Sequence, residues 1–413
     1  MCHVGASKSL ALTTAKQQPR AEFLSRCHPS ATLAINERVA ELRADGIDIA
    51  HFGLGQSPFP VPEHVVAALR ASAAEKDYLP VAGLPALRNA VAAWHRRHGQ
   101  PAARAEGVFI GPGSKELLYM VQLIFDGELL VPDLAWVSYA PQSVIVSRHP
   151  CVPLATTFEG RYRLLPSVLD EHCRAGGAKP RLLILNSPGN PDGLSYTRSE
   201  LEAIAEVCLA HNIVVLSDEI YGPLHHTNEH VSLASILPTL TLVTGGLSKW
   251  CGAGGWRLGT LVVPAELHWI HDALKVVASE TFSAVSAPIQ FAAIAAYEPS
   301  DAMEVYLEEC RATLRDVALR ATKPLEEIGV KIHTPTGGFY YMADCSHMRE
   351  RFARRGITTS KELTTRLLDE AHVAVLPGID FLRPIEELSF RVAFVDFKNV
   401  DQGIARLAAW LAQ

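Results

Sequence analysis

Short apolar runs recur through the middle of the chain, and segments with helical spacing separate them. The runs are "ELLV", "RLLIL", "IVVLS", "LTLVT" and "LGTLVV". They are rich in Val, Ile and Leu and would be apolar on both faces of a strand, as strands buried on both sides are. The alternation therefore predicts an α/β domain whose mostly parallel sheet is covered by helices on both sides.

The pattern changes at both ends of this region. From about residue 300 a long charged helix over 302–329 is followed by shorter strands with a helix between them. Before it, "SATLAINERVAELRADG" has helical spacing and ends at a glycine. We therefore expect a large α/β domain over residues 64–299 and a smaller α+β domain built from residues 28–63 and 300–413.

Composition excludes several classes of protein. The 413 residues are 48% hydrophobic and 20% charged, which is typical of an ordinary globular protein. The net charge of −6 gives no basic footprint for nucleic acid. No apolar stretch reaches the roughly 18 residues that a membrane span requires. Neither a nucleic-acid partner nor a membrane location is expected.

Cysteine usage and the first residues bear on location. The eight cysteines contain no C-x-x-C pair, so no disulfide framework or zinc site is indicated, and a reducing cytoplasm is expected. Residues 1–27 are predicted to form a disordered tail, although their basic, acid-free beginning is also found in organelle transit peptides. The stretch "HHTNEH" at 225–230 matches no metal motif, so we expect no metal and interpret it as a polar loop.

Polar side chains follow three of the apolar runs. Asn190 follows "RLLIL", Asp218 and Tyr221 follow "IVVLS", and Lys249 follows "LTLVT". Ligands of open parallel sheets bind beyond the carboxyl ends of the strands. These side chains are therefore expected around one crevice.

Pyridoxal phosphate is a cofactor that such a set can hold. A lysine such as Lys249 forms a Schiff base with its carbonyl when the amine is partly desolvated. A buried carboxylate such as Asp218 would keep the pyridine nitrogen protonated, which the ring needs in order to accept electrons. Tyr221 and Asn190 are suitable donors to its phenolic oxygen.

The phosphate of the cofactor also has a predicted site. The Gly-Pro-Gly-Ser turn opens a helix, whose free N–H groups favour an anion near Gly113, Ser114 and Lys115. Arg257 can bind phosphate oxygens with two parallel N–H groups, and Ser248 can add a hydroxyl.

At these residues the chain resembles the fold-type-I, class I/II aminotransferases, which include the aspartate aminotransferases. The resemblance depends on "NSPGNPDG", "SDEIYGPL" and "GLSKWCGAGGWRLG" in that order, with "YLPVAGLPALRNAV" upstream and "SFRVAFVDF" downstream. It covers nearly everything after about residue 28. It implies a pyridoxal-phosphate-dependent transferase fold with a seven-stranded sheet, a ping-pong aminotransferase activity on an amino acid and a 2-oxo acid, and a homodimer with shared active sites.

The resemblance also implies roles for individual residues. Lys249 is the Schiff-base lysine, Asp218 pairs with the ring nitrogen, Asn190 and Tyr221 contact the phenolic oxygen, and Ser248 and Arg257 hold the phosphate. Trp136 stacks on the ring, and Tyr78 reaches the phosphate of the neighbouring subunit. The substrate α-carboxylate is held by Arg391, with Asn190 and backbone near Gly55.

The chain departs from the family pattern at three positions. Gly246 stands where a hydroxyl residue is common, which puts one phosphate contact in doubt. Gly189 and Asp192 replace the asparagine and threonine of "SPNNPTG". Neither of the last two changes removes a catalytic group.

The identity of the amino acid is less constrained. In one bacterial-type subgroup, a "PSAT" stretch and a lysine after the phosphate turn contact the distal carboxylate of the substrate. This chain has Ser30, Thr32 and Lys115 at those places, which favours aspartate or glutamate, although Lys115 can equally be a solvent-facing helix residue. A lyase, cyclase or decarboxylase that uses the same cofactor is the alternative function, because the fold generates the carbanion and pocket details decide its fate.

Overall fold

The computed structural model describes residues 31–146 and 151–413, with side chains from residue 35 onward. The strands are β1 (Ala50–His51), β2 (Val108–Gly111), β3 (Glu128–Pro132), β4 (Cys151–Leu154), β5 (Arg181–Asn186), β6 (Val214–Asp218), β7 (Thr241–Gly246), β8 (Gly259–Val262), β9 (Lys331–Ile332), β10 (Tyr340–Asp344), β11 (Val373–Ala374), β12 (Leu376–Pro377) and β13 (Ser389–Ala393). The helices are α1 (Ala31–Ala44), α2 (Glu63–Ser72), α3 (Pro85–Arg97), α4 (Ser114–Ile124), α5 (Tyr139–Val146), α6 (Pro166–Gly176), α7 (Arg198–Ala210), α8 (His268–Ser279), α9 (Ala287–Tyr297), α10 (Asp301–Glu327), α11 (Arg349–Arg354), α12 (Ser360–Ala371) and α13 (Val400–Leu411).

A seven-stranded sheet forms the centre of the molecule. Its strand order is β2-β8-β7-β6-β5-β3-β4, and β8 alone runs antiparallel to its neighbours. The predicted mostly parallel, seven-stranded sheet is therefore confirmed, and all five apolar runs are strands in it. The pattern did not reveal β2 and β4. Both are only four residues long, and β4 is an edge strand that contains a proline and is only partly buried.

Apolar side chains cover both faces of this sheet. Along β6, Val215 packs into one buried cluster and Leu216 into another on the opposite face. All five residues of β6 are buried. This two-sided burial explains why the strand is a continuous apolar run rather than an alternating one. The end of β6 is consequently held rigidly inside the molecule.

A second, antiparallel sheet has the strand order β12-β13-β10-β9. The long predicted helix is confirmed as α10, which begins after Ser300, whose hydroxyl accepts from the Met303 N–H. The short strands β1 and β11 pair in parallel, with Ala50 opposite Val373, so the segment near residue 50 joins the C-terminal unit. This pairing is in accord with a small domain made of both chain ends; the domain boundaries themselves stay a prediction.

The expectations about the N-terminal residues, membrane spans and cysteines depend on which residues the structure describes. Residues 1–30, which include Ser30 and the predicted tail, lie outside the described residues. Within residues 31–146 and 151–413, no helix combines the length and the apolar character that crossing a membrane demands. The six cysteines of that part of the chain are all free.

The stretch 225–230 is a loop, as predicted, and Thr227, Asn228 and Glu229 in its middle are exposed. Its two leading histidines are different. His225 and His226 are both buried. The ring of His226 contacts the Gly338 carbonyl oxygen at 2.9 Å, and Nδ1 of His225 accepts from the Glu229 N–H at 3.1 Å. Burial lowers the pKa of both histidines, that of His225 to about 4. The composition of the loop did not reveal this burial, because it depends on the turn before β10, which packs over the two histidines.

Candidate active site

A cavity of about 320 Å³ opens at the carboxyl ends of β5, β6 and β7. These three strands are neighbours in the sheet and run parallel, so the residues that follow them meet at one edge. Most of the predicted site residues lie here. The cavity is lined by Leu54, Gly55, Ser114, Lys115, Trp136, Val137, Ser138, Asn186, Asn190, Asp218, Ile220, Tyr221, Lys249, Arg257, Tyr340 and Arg391.

Lys249 projects into the cavity from the turn after β7. Its Nζ donates to the carbonyl oxygen of Gly55 at 2.7 Å. The same nitrogen lies 5.8 Å from the ring centroid of Tyr221 and 5.7 Å from that of Phe339. Two aromatic faces and one carbonyl therefore hold the amine, which is the partly desolvated setting that a nucleophilic lysine needs.

Asp218 is the last residue of β6 and is buried. Its Oδ2 accepts from the Tyr139 hydroxyl at 2.8 Å, and its Oδ1 accepts from the Ile220 N–H at 3.3 Å. Burial raises the pKa of this carboxyl to about 6, and the two hydrogen bonds and Lys249 partly oppose that rise. A buried carboxyl with a raised pKa is suited to share a proton with a cationic ring nitrogen.

Three cationic side chains lie near one another in the wall of the cavity. These are Lys115, Lys249 and Arg257. Partial burial is the main cause that lowers the pKa of Lys115, and the positive charges of Arg257 and Lys249 lower it further. Nζ of Lys115 lies 5.0 Å from the ring centroid of Trp136, although part of the side chain stays exposed because the cavity is open to solvent. Such a concentration of positive charge is favourable only when an anion binds among it.

The start of α4 supplies backbone donors beside these cations. Gly113 precedes the helix with φ of 96°, and no side chain caps the first turn, so its N–H groups are free to bind an anion. A Cβ on Gly113 would lie 2.3 Å from the Arg257 guanidinium, and a Cβ on Gly259 would lie 2.3 Å from the Gly113 backbone. The guanidinium itself donates to the carbonyl oxygens of Gly254 and Pro112. The turn therefore fits a phosphate group.

Arg391 provides a second place for an anion. Its guanidinium is buried and donates to Asn190 Oδ1 at 3.0 Å and to the carbonyl oxygen of Gly53. Among the described residues, no carboxylate forms a salt bridge with it, and its Nε has no hydrogen-bond partner. Asp380 acts on the guanidinium electrostatically without forming a salt bridge with it, so a bound carboxylate could supply the direct ion pair that a buried arginine needs.

Tyr221 closes the wall between Lys249 and Arg391. Its hydroxyl lies 3.1 Å from that of Tyr340, which donates to the Gly55 carbonyl oxygen at 3.3 Å. Burial raises the pKa of Tyr221 well above its ordinary value, so it stays a neutral hydrogen-bond donor. A side chain at Gly55 would collide with the Tyr340 hydroxyl, which explains the glycine at this position.

Some predicted site residues lie elsewhere. Ser248 is partly exposed and is not part of the cavity lining. The side chain of Tyr78 is 94% exposed, so the described part of this chain leaves it uncovered. Ser30 lies outside the described residues, and Thr32 lies in α1 without a described side chain. The roles expected for these four residues, like those of the residues that line the cavity, stay predictions.

Among the polar groups that sequence reasoning missed are Asn186 and Tyr340, which line the cavity, and Tyr139, which lies outside the lining and supports Asp218. Tyr139 bonds to Asp218, Tyr340 bonds to Tyr221, and Asn186 donates to the Asp218 carbonyl oxygen at 2.7 Å. Asn186 had a usable signal, because it is the last residue of a buried strand at the ligand-binding edge. The two tyrosines gave none, since their partners are distant in the chain.

The departures at Gly189 and Asp192 explain each other. The carboxylate of Asp192 forms a buried salt bridge with Arg163. A Cβ on Gly189 would lie 1.9 Å from Asp192 Oδ1, so only glycine leaves room for that carboxylate. The turn that carries Asn190 is thus held by an ion pair in place of the usual side chains.

The buried carboxyl, the lysine and the anion-binding turn at the edge of this sheet define a pyridoxal-phosphate-dependent transferase fold. A family model described as aminotransferase class I and II matches residues 47–407. The aspartate aminotransferase of Bacillus sp. (strain YM-2) is 34% identical over 92% of this chain and 95% of its own. The aspartate/prephenate aminotransferase of Thermus thermophilus is 33% identical over 86% of this chain and 89% of its own.

A solved structure gives the same answer. The structure of aspartate aminotransferase from Thermus thermophilus with maleate has a TM-score of 0.86 and 29% identity, and it covers 95% of this chain and 99% of that chain. This chain belongs to the class I and II aminotransferase family. It is a pyridoxal-phosphate-dependent aminotransferase whose substrates are an amino acid and a 2-oxo acid; the lyase, cyclase and decarboxylase alternative is not favoured.

The raised pKa of Asp218 predicts a pH-dependent stability of the apoenzyme. The pKa rises from 3.8 to about 6 on folding, so the stability present below pH 4 is lost as the pH rises through 6. The difference in unfolding free energy between Asp218→Asn and wild type should therefore shift by about 3 kcal/mol in favour of the variant as the pH rises from 4 to 8. Urea unfolding from pH 4 to pH 8 measures this gain. The exposed Asp369→Asn is the control, and an Asp218→Asn difference that does not change with pH would contradict the assignment.

Proposed function

We propose that this aminotransferase uses a dicarboxylic amino acid, aspartate or glutamate, as amino donor, and that Lys249 binds the cofactor. The observation that carries the proposal is that one cavity is lined by Lys249, by the buried acid Asp218 and by the buried Arg391. The ammonium of Lys115 lines the same cavity and could bind a second carboxylate. Each anionic part of cofactor and substrate has a cationic or N–H partner among these residues.

The cofactor would be held at four points. The turn at Gly113 and Ser114 and the guanidinium of Arg257 bind its phosphate, and Asp218 pairs with its ring nitrogen. Tyr221 and Asn190 donate to the phenolic oxygen, and Trp136 packs on the ring. Bound pyridoxal phosphate supplies an aldehyde that condenses with amines and a ring that accepts the electrons released at the substrate Cα.

The protein's own part is to orient the substrate and move its proton. Arg391 binds the α-carboxylate and, with Asn190 and the backbone near Gly55, holds the Cα–H bond in one orientation. Nζ of Lys249 would remove the Cα proton as general base. The same nitrogen could then return the proton to the cofactor carbon that carried the aldehyde. The first 2-oxo acid product leaves before the second substrate, another 2-oxo acid, binds to the same residues and is converted by the same steps in reverse. This order of binding and release is a ping-pong reaction.

Lys115 would select the dicarboxylic substrate. Its ammonium lies at the cavity wall beside Trp136, on the first turn of α4. Burial, and after it the charges of Arg257 and Lys249, lower the pKa of Lys115, and an anion bound beside the three cations would relieve their repulsion. The relatives described above are named for aspartate, and the similar structure was solved with maleate, a dicarboxylate. Ser30 and Thr32 are proposed as further contacts of this carboxylate.

Assembly and location complete the proposal. A tyrosine that is 94% exposed, Tyr78, is expected to insert into the neighbouring subunit of a homodimer and reach its cofactor phosphate. Ser248 would add its hydroxyl to the same phosphate after a small rearrangement. The free cysteines of the described residues support a cytoplasmic location with reduced thiols.

Lys249→Ala tests the function. We expect loss of the visible absorbance of the bound cofactor and a fall in turnover of at least about 1,000-fold, because both the attachment point and the general base are removed. Absorbance spectra and a coupled assay of 2-oxo acid formation measure the two effects. Lys323→Ala, an exposed lysine of α10, should keep both properties. Turnover near the wild-type rate in Lys249→Ala would refute the site.

Lys115→Ala tests the substrate class. Loss of one charge-assisted contact is expected to raise the KM for aspartate and glutamate by about 10- to 100-fold. An aromatic amino acid lacks the distal carboxylate, so its KM should change by less than about threefold. Steady-state kinetics with each donor at a saturating 2-oxo acid separates the two. An equal rise for both kinds of donor would sink the proposed selection.

A further inference from the structure

Glu219 lies next to Asp218 in the chain but faces the other way. Asp218 lines the active-site cavity, whereas Glu219 lines a separate cavity of about 330 Å³ between the end of α3 and the loop at 222–230. The side chain of Glu219 is 7% exposed. Two carboxyl groups therefore flank the end of β6 from opposite sides.

Four side-chain donors surround the Glu219 carboxylate. Oε1 accepts from the hydroxyls of Ser217 at 2.8 Å and Ser232 at 2.7 Å. Oε2 lies 3.0 Å from Nε2 of His230 and 3.3 Å from Nε2 of Gln100, which donates to it. Each oxygen thus has two partners, the number that an ionised carboxylate can use fully.

This arrangement fixes a negative charge in the interior. Burial alone would raise the pKa of Glu219, but the hydrogen bonds and the charge of His230 outweigh it and hold the pKa below its ordinary value. The negative charge of Glu219 is in turn one of the causes that raise the pKa of Asp218. The other titratable groups that line this cavity are Arg97, His95, His98 and Tyr297. Burial lowers the pKa of both histidines and raises that of the tyrosine.

We propose that Glu219 is a positioning residue whose fixed negative charge keeps a proton on the pair formed by Asp218 and the ring nitrogen of the cofactor. The inference rests on the proposed pairing of Asp218 with that nitrogen. Loss of the proton from the pair would leave a carboxylate without its cationic partner beside a second buried carboxylate, Glu219, which is unfavourable at short range in a low-dielectric interior. The electron-accepting form of the ring is thereby maintained to higher pH.

The surroundings of Glu219 can accept an amide in place of the carboxylate. Among the described residues, Nδ1 of His230 has no hydrogen-bond partner, and Oε1 of Gln100 has none of normal geometry, although it interacts with His95. In Glu219→Gln, Gln100 can turn its oxygen toward the new amide, and His230 can adopt its other tautomer and accept from it. This substitution therefore removes the charge while the hydrogen bonds are rebuilt.

The first measurement is the titration of Asp218 in the apoenzyme by carbon NMR of labelled aspartate, with the signal assigned from Asp218→Asn. We expect Glu219→Gln to lower the pKa of Asp218 by about one pH unit, because a nearby buried charge is gone. An unchanged titration would overturn the inference about Glu219 and leave the proposed function standing.

Two further variants separate charge from structure. Ser232→Ala removes one hydrogen bond and keeps the charge, so the titration of Asp218 should stay as in wild type. His230→Gln keeps a hydrogen-bond donor beside Glu219 but removes the positive charge that offsets it, so it should raise the pKa of Asp218. This variant keeps the test available if Glu219→Gln fails to fold, and an unchanged titration in it would overturn the electrostatic role. A shift in Ser232→Ala as large as in Glu219→Gln would overturn the electrostatic role.

The second measurement concerns the holoenzyme with cofactor labelled with ¹⁵N in the ring. The ring nitrogen of Glu219→Gln should lose its proton at a lower pH than that of wild type, as its chemical shift reports. If Asp218 responds in the apoenzyme but the ring nitrogen does not respond in the holoenzyme, the pairing of Asp218 with the cofactor is overturned. That failure is then one of the proposed function and is distinct from an unchanged Asp218.

Discussion

Four cationic side chains converge on one cavity, and the surrounding fold has to hold them there against their mutual repulsion. Lys115, Lys249, Arg257 and Arg391 all line it, and Asp218 is the carboxylate among the lining residues. Mutual repulsion of the cations destabilises the empty cavity, and an anionic cofactor and substrate relieve that repulsion. Ligands that bind only the folded state stabilise it by mass action, so the same charges that recognise the ligands also couple their binding to stability.

Only a rigid scaffold can hold such a set of like charges together. The central strands are buried on both faces, and their parallel arrangement brings the residues after β5, β6 and β7 to one edge. Close backbone packing completes the cavity, as the collisions of a Cβ at Gly55 and Gly113 demonstrate. The buried pair of Arg163 and Asp192 supports the turn between β5 and Asn190. The chemistry is therefore positioned by backbone geometry more than by flexible side chains.

The sequence predicted what depends on local order along the chain. The residues after each buried run could be assigned to one crevice because parallel strands end at the same edge, and Lys249 and Arg391 lie there as expected. Contacts between distant segments could not be predicted. Tyr139 meets Asp218 only through the packing of α5 on the sheet, and the burial of His225 depends on the turn before β10. Hydrophobic patterning carries no information about such polar partners.

The attachment of the cofactor to Lys249, at the carboxyl edge of the sheet, is the part of the proposed function that can be tested most directly. Reduction of the holoenzyme with borohydride makes the carbon–nitrogen bond between cofactor and lysine permanent, and mass spectrometry of the digested protein then locates it. The account predicts one modified peptide, which contains Lys249. Modification of a different lysine, or no modification in a protein that retains its activity, would contradict it.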